Sequence, residues 1–144
     1  QTAYDRVKTE FEDIFNKYGS KNAVKIARIL YGDISYHAGD ADTAISMYTN
    51  ALNDFNQSPA MKNIVLNGLG YAFILKEEYP RSIHYFEMIS AGKEKTMKSG
   101  SLFNLAWLYE AAGEKEKGTS TYEQLLTDFP ESMYGDLVRE KVSG

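Results

Sequence analysis

The feature that most constrains this chain is an internal echo that recurs four times. Phe11-Glu-Asp-Ile14-Phe15-Asn-Lys-Tyr18-Gly19 lies over Tyr122-Glu-Gln-Leu125-Leu126-Thr-Asp-Phe129-Pro130, with every apolar position kept. Between them come Tyr48-Thr-Asn-Ala51-Leu52-Asn-Asp-Phe55 and the shorter Phe86-Glu-Met-Ile89, so the aromatic heads are spaced 37, 38 and 36 residues apart. A period of that size is the length of one supersecondary unit. Such units cannot cover their own apolar faces and bury them by stacking on their neighbours.

Each unit is helical by its spacing. Apolar residues return at three and four positions, as in Ile26, Ile29, Leu30 and Ile34, in Leu66, Leu69 and Phe73, and in Leu102, Leu105, Leu108 and Tyr109. These spacings line one side of an α-helix, and no stretch alternates as a strand would. Breaks at Gly19, Gly39, Pro59, Pro80, Gly92, Gly113 and Pro130 predict eight helices, roughly 3–18, 21–38, 41–55, 60–76, 80–90, 95–112, 115–129 and 131–142. Short links between them predict antiparallel hairpins. At 144 residues the chain is one domain, long enough to be stable without metal or disulfide staples.

The helices that precede the aromatic heads repeat as well. Tyr31-Gly32, Leu69-Gly70 and Leu105-Ala106 open equivalent stretches that run to Gly39-Asp40, Glu77-Glu78 and Gly113-Glu114. Gly32, Gly70 and Ala106 leave room for a partner helix to approach closely, and Tyr48, Phe86 and Tyr122 fill the gap. The chain here resembles the tetratricopeptide repeat family. Its pattern of a Leu-Gly pair, an aromatic three residues on, a Gly-acidic turn and an Ala-aromatic-Ala second helix, often closed by Pro, is met at Gly32, Gly39, Ala44, Tyr48 and Ala51. It is met again at Leu69, Gly70, Phe73, Tyr79 and Phe86, and at Leu105, Tyr109, Gly113, Tyr122 and Pro130. Ser35, Glu77, Ser82 and Gly118 depart from it, and Glu77 at the turn makes the second hairpin the least regular.

The resemblance implies an all-α fold, a right-handed solenoid of stacked antiparallel hairpins. Residues 1–20 would be an orphan second helix, 21–57, 58–93 and 94–130 three repeats, and 131–144 a solvated capping helix. It also implies that first helices line a concave groove. The groove residues would be Ile29, Asp33, Tyr36 and His37, then Asn67, Tyr71 and Ile74, then Phe103, Asn104, Trp107 and Glu110, each set on one helical stripe. Tyr71 and Trp107 fall at equivalent positions, and such amphipathic rings serve equally as interface anchors or as core between adjacent helices. Chaperone-binding relatives hold a C-terminal carboxylate with basic side chains, whereas Ile29, Asp33, Asn67, Tyr71, Phe103 and Trp107 stand at those positions.

Other chemistries find little support. The chain has no cysteine, which excludes thiol catalysis and Cys-based zinc sites and leaves both a reducing cytosol and a bacterial envelope open. Net charge is −4, and Asp33 and Glu110 make the groove acidic, so nucleic acid is not an expected partner. His37 and His84 sit a repeat apart on different kinds of helix. Asp40-Ala-Asp42 lacks the glycine and bidentate glutamate of a calcium loop, and Asn67-Gly68-Leu69-Gly70 follows no strand and is no phosphate loop. No apolar run approaches the ~20 residues of a membrane span. The sequence reading is therefore a non-catalytic scaffold without cofactor or metal that takes a protein or peptide segment in its groove. The alternative is a self-association module of a larger tethered protein. The runs Phe11 to Ser20 and Tyr122 to Ser132 are similar to those of bacterial cell-envelope members of the family and, with a start at Gln1 rather than methionine, favour a periplasmic or membrane-tethered location over a cytoplasmic one.

Overall fold

A computed structural model describes residues 2–144. Among these residues there are eight helices and no strand: α1 (Ala3–Tyr18), α2 (Asn22–His37), α3 (Ala41–Asp54), α4 (Pro59–Leu75), α5 (Tyr79–Ala91), α6 (Lys98–Ala111), α7 (Lys115–Asp128) and α8 (Gly135–Ser143). Helix α2 pairs with α3, α4 with α5 and α6 with α7. Each second helix also packs on the first helix of the following hairpin. The product is an α-solenoid of helical hairpins. Two boundaries differ from the sequence reading. Helix α6 begins at Lys98 rather than near 95, because Glu94 turns back on Thr96 and Met97 takes a left-handed conformation (φ 63°). Helix α8 begins at Gly135 rather than 131, after a turn in which the Ser132 amide bonds to the Phe129 carbonyl.

The ends of the helices follow from local chemistry. Thr2 and Asp5 form a reciprocal capping box at the start of α1, and Asp40 accepts the Thr43 amide at the start of α3. Pro59 and Pro80 open α4 and α5, where a missing amide costs nothing. The hairpin turns share one geometry. Gly39, Glu77 and Gly113 all have positive φ, and the amides of Asp40, Glu78 and Glu114 reach back to the carbonyls of Ser35, Phe73 and Tyr109 at 2.9, 2.9 and 2.8 Å. The second hairpin is thus as regular as the others, although glutamate occupies the glycine position.

Packing inside the hairpins depends on small residues. An added Cβ at Gly32 would lie 2.8 Å from the Tyr48 ring, and one at Gly70 would lie 2.5 Å from Phe86. The third hairpin, with Ala106 on its first helix, has its glycine on the second helix. A Cβ on Gly118 would meet the Ala106 carbonyl at 2.8 Å. Ser82, at the equivalent place in α5, is fully buried and donates its hydroxyl to the Gly70 carbonyl at 2.8 Å. The core accordingly runs along the stack as three linked clusters: Tyr48 with Leu69 and Phe73, Phe86 with Leu105 and Tyr109, and Tyr122 with Leu102 and Val138.

The stripe Ile26, Leu30, Ile34 is not core. These side chains are 45%, 51% and 39% exposed, whereas Ala72 and Leu108, which stand 38 and 74 residues after Ile34, are fully buried. Ala72 and Leu108 share core clusters with the preceding second helices α3 and α5, whereas at α2 the Ile34 side chain stays open. Helix α1 leans on α2 from the second-helix side, with the Phe11 ring stacked on Tyr31 at 4.8 Å and the Tyr4 hydroxyl donating to Asp40 Oδ2 at 2.8 Å.

Candidate functional site: an aromatic cleft on the first helices

The first helices α2, α4 and α6 lie side by side, so side chains spaced by three and four residues on each form adjoining rows. Five of the expected groove residues converge on one cleft of about 260 Å³: Asp33, Tyr36 and His37 from α2, Asn67 and Tyr71 from α4. Tyr48 from α3 and Gly68 complete it. The Tyr36 and Tyr71 rings sit 6.3 Å apart at 59°, and His37 lies edge-on to Tyr36 at 5.2 Å.

Tyr48 reaches the cleft because two glycines let it pass. Its ring lies between α2 and α4 at Gly32 and Gly68, where a Cβ on the latter would come within 2.7 Å. The hydroxyl emerges to donate to Asp33 Oδ1 at 2.5 Å. Burial, reinforced by the Asp33 carboxylate, pushes the Tyr48 phenol far above its ordinary range. The phenol therefore remains a donor that orients Asp33. The sequence reading placed Tyr48 only as a core filler and read Gly68 only as part of a rejected phosphate loop. The available signal was a second glycine two residues before Gly70, a pair that a helix interior tolerates at a cost and that points to close approach.

Beyond the cleft the row is braced internally. Asn104 is 5% exposed, so it is not an open contact residue; its Nδ2 donates to the Tyr71 hydroxyl at 2.9 Å, while its Oδ1 accepts from Trp107 Nε1 at 3.1 Å. Tyr71 is also held edge-on to Phe86 at 5.6 Å, and Trp107 edge-on to Tyr79 at 6.3 Å. Both rings are half-buried against the second core cluster, as is Ile74.

Three further positions differ from the groove expectation. Ile29 is 8% exposed and packs in the first core cluster, because its stripe turns under α3 and α4. Phe103 is covered by the ring of Tyr134, stacked at 4.6 Å and 16°. Glu110 is engaged by Lys141 of α8 at 2.7 Å. The C-terminal segment thus engages these two α6 side chains. Tyr134, which covers Phe103, lies in the turn before α8 and is spaced by four from Val138 and Val142, a stripe the sequence reading did not use.

Comparison with known proteins agrees with this architecture. Residues 101–132, spanning α6 and α7, match the family model of the tetratricopeptide repeat. The crystal structure of the tetratricopeptide-repeat domain of Arabidopsis FLU superposes with a TM-score of 0.69 at 18% identity, covering 75% of this chain and 96% of that one. The crystal structure of MamA superposes with a TM-score of 0.67 at 15% identity, covering 90% of this chain and 76% of that one. No curated protein matches the chain. The chain carries a tetratricopeptide repeat at 101–132 and has the fold of a tetratricopeptide-repeat domain. Among the described residues no helix is long and apolar enough to cross a membrane, and no three His, Asp or Glu side chains gather as a metal would require.

Proposed function

We propose that this domain is a non-catalytic scaffold of three repeats, 21–57, 58–93 and 94–130, that takes a protein or peptide segment across its first helices within a bacterial envelope assembly. The observation that carries this reading is the cleft between α2 and α4, where Tyr36, Tyr71 and Asn67 are partly open and Tyr71 is held by Asn104 and Phe86. Preorganised aromatic and amide groups of this kind bind extended peptides with little ordering cost. Four groove positions contribute differently from the rest. Ile29 and Asn104 support the cleft from below, and Phe103 and Glu110 are taken by α8.

The test is a plug. Asn67→Arg fills the cleft rim while leaving the Tyr71–Asn104–Trp107 bracing intact. Crosslinking in the native host followed by mass spectrometry is expected to recover partners with the wild-type protein and to lose them with the variant, at unchanged helical content and melting temperature. Undiminished capture by Asn67→Arg overturns the groove reading.

A second reading, self-association, is favoured by the exposed stripe Ile26, Leu30 and Ile34. A row of three exposed apolar side chains, one of them at a position buried in both later hairpins, is a surface a second copy would cover. Light scattering across concentration separates the two readings. A mass that rises with concentration and falls to the monomer in Leu30→Lys supports self-association, and a constant monomer mass removes it.

A further inference from the structure

The cleft that the proposed function assigns to a partner has a charge chemistry of its own. Asp33 stands exposed at its mouth with Oδ1 engaged by the Tyr48 hydroxyl, and among the described residues no lysine or arginine lies within ion-pair distance of it. Several other carboxylates on the hairpins are already paired: Asp42 and Glu78 with Lys76, Asp54 with Arg28, Glu110 with Lys141. The walls beside Asp33 are the rings of Tyr36 and Tyr71, and the lining includes no lysine or arginine. At about 260 Å³ the cleft falls below the usual size of a small-molecule pocket and suits one long side chain.

From this geometry, and resting on the groove reading above, we infer that the cleft is a receptor for a lysine or arginine side chain of the bound segment. The cation would sit against the Tyr36 and Tyr71 rings with its charge on the free oxygen of Asp33. Aromatic faces attract cations through their quadrupole, and a carboxylate oriented by a hydrogen bond from behind leaves its second oxygen aimed outward. An anion would meet Asp33 as a like charge, and a purely apolar side chain would strip water from Asp33 and Asn67 without replacing it. The net charge of −4 favours encounter with a cationic segment.

The test uses free probes, so it does not depend on knowing the partner. Titration of N-acetyl-arginine amide into the isotopically labelled domain, followed by amide chemical shifts, is expected to move the signals of Asp33, Tyr36, Asn67, Gly68 and Tyr71. The neutral isostere N-acetyl-citrulline amide is expected to leave them in place. Asp33→Asn, which still accepts the Tyr48 hydroxyl and so preserves the fold, is expected to weaken arginine binding at least about threefold. Equal shifts with citrulline, or undiminished arginine binding in Asp33→Asn, overturn the inference. The groove reading stands or falls separately, on partner capture by Asn67→Arg.

Discussion

Glu77 adopts φ 59° at a turn where Gly39 and Gly113 adopt 83° and 85°. Side chains with a Cβ meet their own carbonyls in this region, at a cost of roughly 1 kcal/mol that glycine avoids. The surrounding hydrogen bonds are the same in all three turns, so the hairpin imposes the conformation and the residue bears the strain. Glu77→Gly is therefore expected to raise the unfolding free energy by about 0.5–1 kcal/mol, and Gly113→Ala, whose Cβ would meet nothing, to lower it by about as much. Thermal melts of the two variants would move in opposite directions by about 2–4 °C. At this scale the sequence was most legible where a residue is needed for space. Gly32 and Gly70 opposite Tyr48 and Phe86 could be read from spacing alone. The role of Gly68 could not, because the ring it admits also leans on the neighbouring hairpin, and only packing shows that.

Helix α8 does more than solvate the end of the stack. Val138 is fully buried against Leu102 and Tyr122, and Tyr134 covers Phe103, while Asp136, Arg139 and Glu140 face outward. The charged face was plain in the sequence. On the other side Tyr134, Val138 and Val142, four residues apart, pack on the last core cluster, a short stripe in a segment otherwise dominated by charge. Val138→Ala is expected to cost about 1–2 kcal/mol, felt first as faster amide exchange in 135–143 while α2 to α5 stay protected. Lys141→Ala, which removes a half-exposed ion pair with Glu110 and a cation over the Tyr122 ring, is expected to cost about 1 kcal/mol or less. Equal exchange in both variants would mean that α8 is held by charge rather than by packing.

Across the whole molecule the buried tyrosines couple stability to alkaline pH. Burial, with the Tyr4 hydroxyl and Glu12 nearby, pushes Tyr31 up to about 12 from an ordinary value near 10, and Tyr48 and Tyr109 are raised further by burial and by Asp33 and Glu87. The folded state holds these protons where the unfolded chain releases them. Their contribution is therefore complete below pH 10 and is lost as pH rises through the folded values. Melting temperature is expected to fall steeply from pH 10 to about 12. Tyr31→Phe, which also removes a buried hydroxyl without a hydrogen-bond partner, should soften the early part of that fall. The amino-acid sequence by itself determined the helices, their pairing into hairpins and the repeat that stacks them. All three rest on local periodicity and on small residues opposite large ones. Tertiary structure alone decided which of these first-helix side chains remain open. Ile29 and Asn104 pass beneath neighbouring side chains, α8 closes over Phe103 and Glu110, and Tyr48 enters the cleft from the opposite helix, since exposure depends on what lies across a helix and no single helix encodes its neighbour.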